Sequence, residues 1–212
     1  MYCQRSSNSK VLWILIIGLD FDQTVADTAD AVRFSLKAVC QDYGLRVDDS
    51  ELQLMSRSGK PLAEIFGAFG IYGNDSVEKF KYHYLKIGLA KTKFCFGAQT
   101  FLEQAELLGI IPVIISAKTQ INLTHSMNFL GLSHLKAYGE LHGYQKTVKL
   151  IECSVQIYAG DQVSDVIAAN NAGILSVYIG TELNPKHEIE IPNFIFNNML
   201  EFSLELPKIL KR

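Results

Sequence analysis

The stretch IIGLDFDQTVADTADA, residues 16–31, decides how the chain folds. It begins inside an apolar run, residues 11–19, in which apolar and polar residues do not alternate. Such a run is typical of a strand covered on both faces, and hence of a parallel sheet. Asp20 and Asp22 follow at once, and like charges so close repel each other unless a cation lies among them. The stretch therefore predicts a buried strand whose end binds a positively charged group.

Three further apolar runs, bounded by polar or turn residues, predict more buried strands: 110–115, 155–159 and 174–179. Segments with helical periodicity lie among them: 98–108, 119–130 and 162–172. Strands that alternate with helices of this length predict an α/β fold, a doubly wound and mainly parallel Rossmann-like sheet.

The first two predicted strands are separated by about ninety residues, far more than one crossover helix needs. Three segments of this span have helical periodicity: 28–43, 61–69 and 76–87. No strand is expected within it. We therefore predict that residues 28–94 form an inserted all-helical cap domain. Residues 1–27 and 95–212 would then form the Rossmann-like core.

Composition excludes several classes of partner. The 212 residues carry a net charge of −2, which gives no long-range field for nucleic acid or for an anionic membrane. The four cysteines have no paired spacing and are expected to be reduced thiols: Cys3, Cys40, Cys95 and Cys153. The apolar run 11–19 lacks a following cleavage site and is too short to span a bilayer. A cytoplasmic protein without nucleic-acid or membrane partners is expected, and its oligomeric state is not indicated.

Polar residues follow three of the predicted strands, where ligands bind in open parallel sheets. They are Asp20 and Asp22 after the first strand, Ser116 and then Lys118 after the second, and Asp161 and Asp165 after the third. Several facing carboxylates suit a hard cation with oxygen ligands, and Mg²⁺ is the natural choice because no His or Cys joins the set.

These residue types fit phosphoryl transfer. A carboxylate can act as a nucleophile and take up a phosphoryl group as an aspartyl phosphate. The metal, a lysine and a serine hydroxyl would neutralise the charge on the transferring oxygens. A second carboxylate two residues along could protonate the leaving oxygen and later activate water.

The same segments, in the same order, resemble the four signature segments of the haloacid dehalogenase superfamily: LDFDQTVADT, VIISAKT, a downstream lysine and YAGDQVSD. Their spacing is most similar to the phosphoglycolate-phosphatase-like branch, which has a helical cap between the first and second segments. The resemblance implies that Asp20 is the nucleophile and Asp22 the acid/base, and that Ser116 and a lysine bind phosphate.

The resemblance also implies the rest of the site. The expected metal ligands are Asp20, Asp22, Asp161 and Asp165. The expected substrate-binding residues are Thr24, Ser116, Ala117, Lys146 and Arg57. Lys146 is preferred as the phosphate lysine because it begins a helix and so faces the strand ends, with Lys149 as the alternative. Arg57 is expected for a different reason, the composition of its loop SRSGK (56–60), which suits an anionic substrate. A surface turn whose cations are merely solvated is the alternative for this loop.

An acid at position 22 favours ester chemistry, because an alkoxide leaving group needs a proton and a halide does not. The sequence thus predicts Mg²⁺-dependent hydrolysis of a small phosphorylated metabolite. A phosphomutase and a non-catalytic phospho-ligand binder remain alternatives, whereas a phospho-acceptor signalling module would not tolerate the long insertion. Gln23 occupies a position where the family usually has Gly, and it either strains the turn or reaches the ligand.

Overall fold

The computed structural model describes residues 15–73 and 75–211. Eight strands occur among these residues: β1 (Ile16–Leu19), β2 (Ala26–Asp27), β3 (Lys93–Phe94), β4 (Ile111–Ile115), β5 (Lys136–Tyr138), β6 (Ile157–Gly160), β7 (Leu175–Ile179) and β8 (Phe194–Phe196). Six of them form a parallel sheet in the order β5-β4-β1-β6-β7-β8. Strand β1 lies near its middle, between β4 and β6.

Nine α-helices occur in the same described ranges: α1 (Ala29–Asp42), α2 (Asp49–Ser56), α3 (Leu62–Ala68), α4 (Ser76–His83), α5 (Ala98–Leu107), α6 (Gln120–Phe129), α7 (Tyr144–Glu152), α8 (Val163–Asn171) and α9 (Met199–Ile209). Among them, none combines the length and the apolar character that crossing a bilayer requires.

Helices cover both faces of the sheet. On one face, α5, α6 and α9 pack an apolar cluster, in which the rings of Phe101 and Phe202 stack with centroids 4.9 Å apart. On the other face, α7 and α8 pack a second cluster around Leu150 and Tyr158. A sheet buried on both sides explains the continuous apolar runs of the sequence. The predicted α/β fold class is confirmed.

The four predicted strands are confirmed within the described residues, while positions 11–14 of the first run lie outside them. Strands β5 and β8 were not predicted. Each has three residues at an edge of the sheet, and neither is fully buried. An edge strand this short does not produce a long apolar run, so the pattern used for the other strands is missing there.

Residues between β2 and β3 pack around an apolar cluster of their own, with Leu36, Leu52, Phe66 and Phe80 at its centre. This segment leaves and rejoins the sheet through an antiparallel ribbon, in which β2 pairs with β3. The prediction of no strand in the insertion was wrong at β3, because two residues carry no readable periodicity. The cap-domain boundaries at 28 and 94 remain a prediction.

The helix predicted over residues 76–87 changes its hydrogen bonding partway. It is α-helical as α4 and continues as a π-helical turn, Tyr84–Gly88. A side chain at Gly88 would meet Ser35 Oγ at 2.5 Å and Ala31 O at 2.7 Å, so this turn lies directly against α1. The close approach to α1 requires glycine at this position.

Candidate active site

Three neighbouring strands bring predicted site residues to one edge of the sheet. Asp20 follows β1, Ser116 follows β4 and Asp161 follows β6. The backbone N–H of Asp20 donates to Ala159 O of β6 at 2.8 Å, which fixes the end of β1 against its neighbour. All three residues line a cavity of about 440 Å³ between the sheet edge and helices α1–α4. This edge is the point where the strand order reverses, the usual ligand site of doubly wound sheets.

Three carboxylates meet at the floor of this cavity. Oxygens of Asp20, Asp161 and Asp165 all lie within 4.8 Å of one another. Burial raises the pKa of Asp20 to about 7, with Lys146 opposing the rise and Asp165 adding to it. Burial, followed by the charges of Asp20 and Asp165, raises the pKa of Asp161 well above its usual range. An all-oxygen donor set with mutual repulsion fits a hard divalent cation such as Mg²⁺.

Lys146 lies at the same floor and Lys149 does not. The Lys146 ammonium, buried in the first turn of α7, lies 2.9 Å from Asp20 Oδ1 and 2.5 Å from Asp165 Oδ1. Burial opposes its charge, but the facing Asp20 carboxylate outweighs that effect and raises the pKa of Lys146. Lys149 instead pairs with Glu152 on the surface. The structure thus brings the preferred one of the two predicted lysines to the carboxylates.

Both carboxylate oxygens of Asp165 accept hydrogen bonds. Its Oδ1 accepts from Lys146, while its Oδ2 accepts from the backbone N–H of Gln162 at 3.2 Å, so it also caps α8. A Cβ at Gly160 would lie 2.4 Å from Asp165 Oδ2, and glycine there leaves room for the carboxylate. These contacts fix Asp165, which in turn orients the ammonium of Lys146.

Asp22 lies outside the cluster of three carboxylates. Its Oδ1 accepts from Thr28 Oγ at 2.6 Å and from Lys118 Nζ at 2.9 Å. Lys118 also lies 4.4 Å from the ring centroid of Tyr84, in the segment between β2 and β3. Burial opposes the charge of Lys118, yet the partner carboxylate of Asp22 raises the pKa of this lysine. The structure therefore gives Asp22 an orienting cation rather than a place among the three clustered carboxylates.

Sequence reasoning placed Lys118 among the polar residues at the strand ends but gave it no partner and no catalytic role. The one available signal was its position, two residues after the serine that ends β4. Its partner could not be read from the pattern, since Lys118 and Asp22 are 96 residues apart in the chain.

Gln23 adopts the backbone conformation that its position demands. Its φ is 61°, in the left-handed region that non-glycine residues seldom adopt. The turn is closed by its backbone N–H, which donates to Ala26 O at 2.7 Å. With the carboxamide oriented to satisfy both partners, its oxygen accepts from the N–H groups of Thr28 and Ala29, each at 3.1 Å. Gln23 thus caps the start of α1 together with Asp27, whose Oδ1 also accepts from the Ala29 N–H at 3.2 Å.

Of the other predicted substrate-binding residues, two line the cavity and one does not. Ala117 lines the cavity, and Arg57 lies exposed at its rim, in the loop between α2 and α3. Thr24 is fully buried, and its hydroxyl has no hydrogen-bond partner among the described residues. It does not line the cavity, so the structure does not bring it together with the other predicted substrate-binding residues.

Comparison with protein families gives one match. The family model described as haloacid dehalogenase-like hydrolase matches residues 17–138, which is more than half of the chain. The matched range includes Asp20, Asp22 and Ser116. No curated protein matches the sequence.

Solved structures share the fold at low sequence identity. A haloacid dehalogenase-like hydrolase from Streptococcus pneumoniae aligns with a TM-score of 0.73 and 19% identity, over 91% of this chain and 98% of that chain. A predicted phosphoglycolate phosphatase from Haemophilus somnus aligns with a TM-score of 0.68 and 16% identity, over 93% and 98%. A family hydrolase from Deinococcus radiodurans, solved with bound phosphate and sodium, aligns with a TM-score of 0.67 and 14% identity, over 92% and 96%.

Proposed function

Because the chain belongs to the haloacid dehalogenase-like hydrolase family, we propose that this enzyme hydrolyses a small phosphomonoester through an aspartyl phosphate. The observation that carries the proposal is the placement of Asp20, a carboxylate at the floor of a cavity, 2.9 Å from the ammonium of Lys146. A nucleophile beside a fixed cation suits attack on a phosphoryl group, whose charge the cation stabilises.

The reaction divides into two balanced halves. In the first, a carboxylate oxygen of Asp20 bonds to phosphorus, the bond from phosphorus to the ester oxygen breaks, and Asp22 gives that oxygen a proton. In the second, Asp22 takes a proton from water as the water oxygen attacks phosphorus, which releases phosphate and restores Asp20. Lys146 and the hydroxyl of Ser116 would bind the phosphoryl oxygens throughout.

Magnesium fits this site. The carboxylates of Asp20, Asp161 and Asp165 would hold it. The fourth predicted ligand, Asp22, lies outside this cluster and pairs with Lys118 instead. When bound, Mg²⁺ would neutralise part of the negative charge on the carboxylates and the phosphoryl group. The protein side chains supply the nucleophile, the proton and the anion contacts.

The cap assignment is part of the proposal. Residues 28–94 would act as a cap over the cavity, and residues 1–27 and 95–212 would form the catalytic core. Support comes from the separate apolar cluster of that segment and from its two adjacent connections at β2 and β3. We also propose a cytoplasmic location, since Cys40, Cys95 and Cys153 are free thiols.

The test is release of free phosphate from p-nitrophenyl phosphate with Mg²⁺, compared with the same protein in a chelator. Measuring inorganic phosphate, rather than nitrophenol alone, separates hydrolysis from the phosphomutase alternative, which would pass the phosphoryl group to a second sugar phosphate. Phosphate release no faster than that of an Asp20→Asn protein would refute the proposal. Nitrophenol release without phosphate release would then favour the phosphomutase, and release of neither product would favour a non-catalytic binder.

Magnesium is expected to stabilise the protein more at high pH than at low pH. The folded-state pKa of Asp20, about 7, lies above its unfolded value of 3.8. The folded protein therefore holds the extra proton between these values, and its free energy of unfolding falls as the pH rises through that window. Mg²⁺ relieves the repulsion of ionised carboxylates, so saturating Mg²⁺ should raise Tm by about 5–10 °C near pH 8 and by much less near pH 5.

Differential scanning fluorimetry at the two pH values measures this effect. The Asp161→Asn protein, which lacks one proposed ligand, should show a smaller shift near pH 8. An equal Mg²⁺-induced shift at both pH values would contradict the assignment of the metal to these carboxylates.

Arg57→Ala is expected to weaken binding of esters whose far end carries a carboxylate. The Arg57 guanidinium lies exposed at the rim of the cavity, and no described residue forms a salt bridge with it. An exposed ion pair is weak, so KM should rise about three- to fivefold for such an ester and stay unchanged for methyl phosphate. Steady-state kinetics on both esters measures this, with Arg46→Ala, an exposed change away from the cavity, as the control. An equal rise for both esters would return Arg57 to a general surface role.

A further inference from the structure

We propose that the alcohol released from the substrate is apolar, an aliphatic or aromatic group rather than a sugar or other polyol. This substrate class presupposes the phosphatase function proposed above, because it concerns the same cavity. The walls of the cavity that face away from the carboxylates carry the observation.

Those walls come from the segment between β2 and β3, and all four of its α-helices contribute. From α1 to α4, the larger apolar side chains that line the cavity are Val32, Met55, Leu62, Ile65, Val77 and Phe80. The carboxylates that line the cavity, together with Lys118 and Lys146, come instead from the strand ends and from the first turns of α7 and α8. The cavity is therefore polar where the phosphoryl group would bind and apolar where the leaving group would extend.

Charged groups of the same segment stay at the rim. Arg57 and Lys60 line the cavity from the exposed loop between α2 and α3. Among the described residues 28–73 and 75–94, no carboxylate faces the cavity. Thr28 and Ser56 are the neutral polar side chains with which these described residues line the cavity. The hydroxyls of a polyol would thus meet few partners on these walls, and a hydroxyl that loses water without gaining a hydrogen bond weakens binding.

An apolar leaving group would bind these walls more tightly than a polyol, because its burial removes apolar surface from water. Each buried methylene tightens binding by about fourfold when water is removed from both surfaces. The volume of about 440 Å³ falls within the range of small-ligand pockets. It accommodates a phosphoryl group at the floor and a short chain or ring against the walls. Met55 adds an adaptable surface, since its unbranched side chain can follow different shapes.

The test compares hexyl phosphate with a hexitol monophosphate, two esters with the same number of carbons and the same phosphate charge. The expected kcat/KM with Mg²⁺ is at least about tenfold higher for hexyl phosphate, since several methylenes become buried. Binding of both esters to the Asp20→Asn protein, measured by calorimetry, should show the same preference without turnover.

Two variants test whether the walls cause the preference. Met55→Gln and Val77→Thr place polar atoms of similar volume on two different helices, and both should lower the ratio of hexyl to hexitol ester. Leu54→Gln is the matched control, because Leu54 is next to Met55 but 69% exposed and outside the cavity. It should leave the ratio unchanged.

The outcomes separate the substrate class from the catalytic function. Turnover of both esters with an equal or reversed preference would overturn the apolar substrate class and leave the phosphatase function intact. Tighter binding of hexyl phosphate without phosphate release from any ester would support the apolar walls and overturn the phosphatase function. A ratio that Leu54→Gln lowers as much as Met55→Gln would also overturn the role of the walls.

Discussion

Asp20→Asn is expected to abolish the phospho-enzyme and to lower kcat by at least about 10⁴-fold, because an amide oxygen is a far weaker nucleophile than a carboxylate. The change keeps the size of the side chain and removes its negative charge beside Lys146. Acid quenching during turnover of p-nitrophenyl phosphate labelled with ³²P, followed by counting of precipitated protein, measures the intermediate.

The control for Asp20→Asn is Asp30→Asn. Asp30 is an exposed carboxylate of α1 that pairs with Arg33, and its loss should leave both labelling and turnover unchanged. Circular dichroism on both variants checks that each is folded. Acid-stable label on the Asp20→Asn protein at the wild-type level would show that another group is the nucleophile.

Asp22→Asn is expected to slow hydrolysis of alkyl phosphates by about 10²–10⁴-fold, the usual size of general acid–base catalysis. The loss in the first half-reaction should be much smaller for p-nitrophenyl phosphate, whose leaving group departs without a proton. Pre-steady-state bursts of nitrophenol and of alcohol compare this step for the two esters.

The position of Asp22 makes this leaving-group test specific. Its carboxylate is oriented by Lys118 and Thr28 rather than by the clustered carboxylates. Asparagine at this position keeps a group that can accept from both partners, so the fold should tolerate the change. Equal losses in the two bursts would mean that Asp22 does not protonate the leaving oxygen.

The sequence by itself determined the core of the sheet and its acidic edge. Strands β1, β4, β6 and β7 are buried on both faces, so their composition is continuous and readable. Parallel strands end at the same edge, and residues that directly follow them must meet there. The order of strands and polar residues along the chain is therefore enough to bring Asp20, Ser116 and Asp161 together.

The tertiary structure decided the features that depend on side-chain direction and distant contacts. Lys146 and Lys149 lie less than one turn apart on α7, and only packing shows which one faces Asp20. The pairing of Lys118 with Asp22 joins two segments far apart in the chain. Gln23 occupies a left-handed backbone position that favours glycine. Its contact with the start of α1 is evident only from the tertiary structure.

The physical reason for this division lies in the range of the forces. Burial of a strand favours apolar residues at every position of that strand, so a buried strand can be predicted from a short window of sequence. A hydrogen bond or an ion pair constrains the identity of only two residues, and whether those two residues meet depends on how separate elements pack. The sequence thus predicts where the chemistry gathers, and the packing of α1–α4 over the strand ends decides the walls of the cavity.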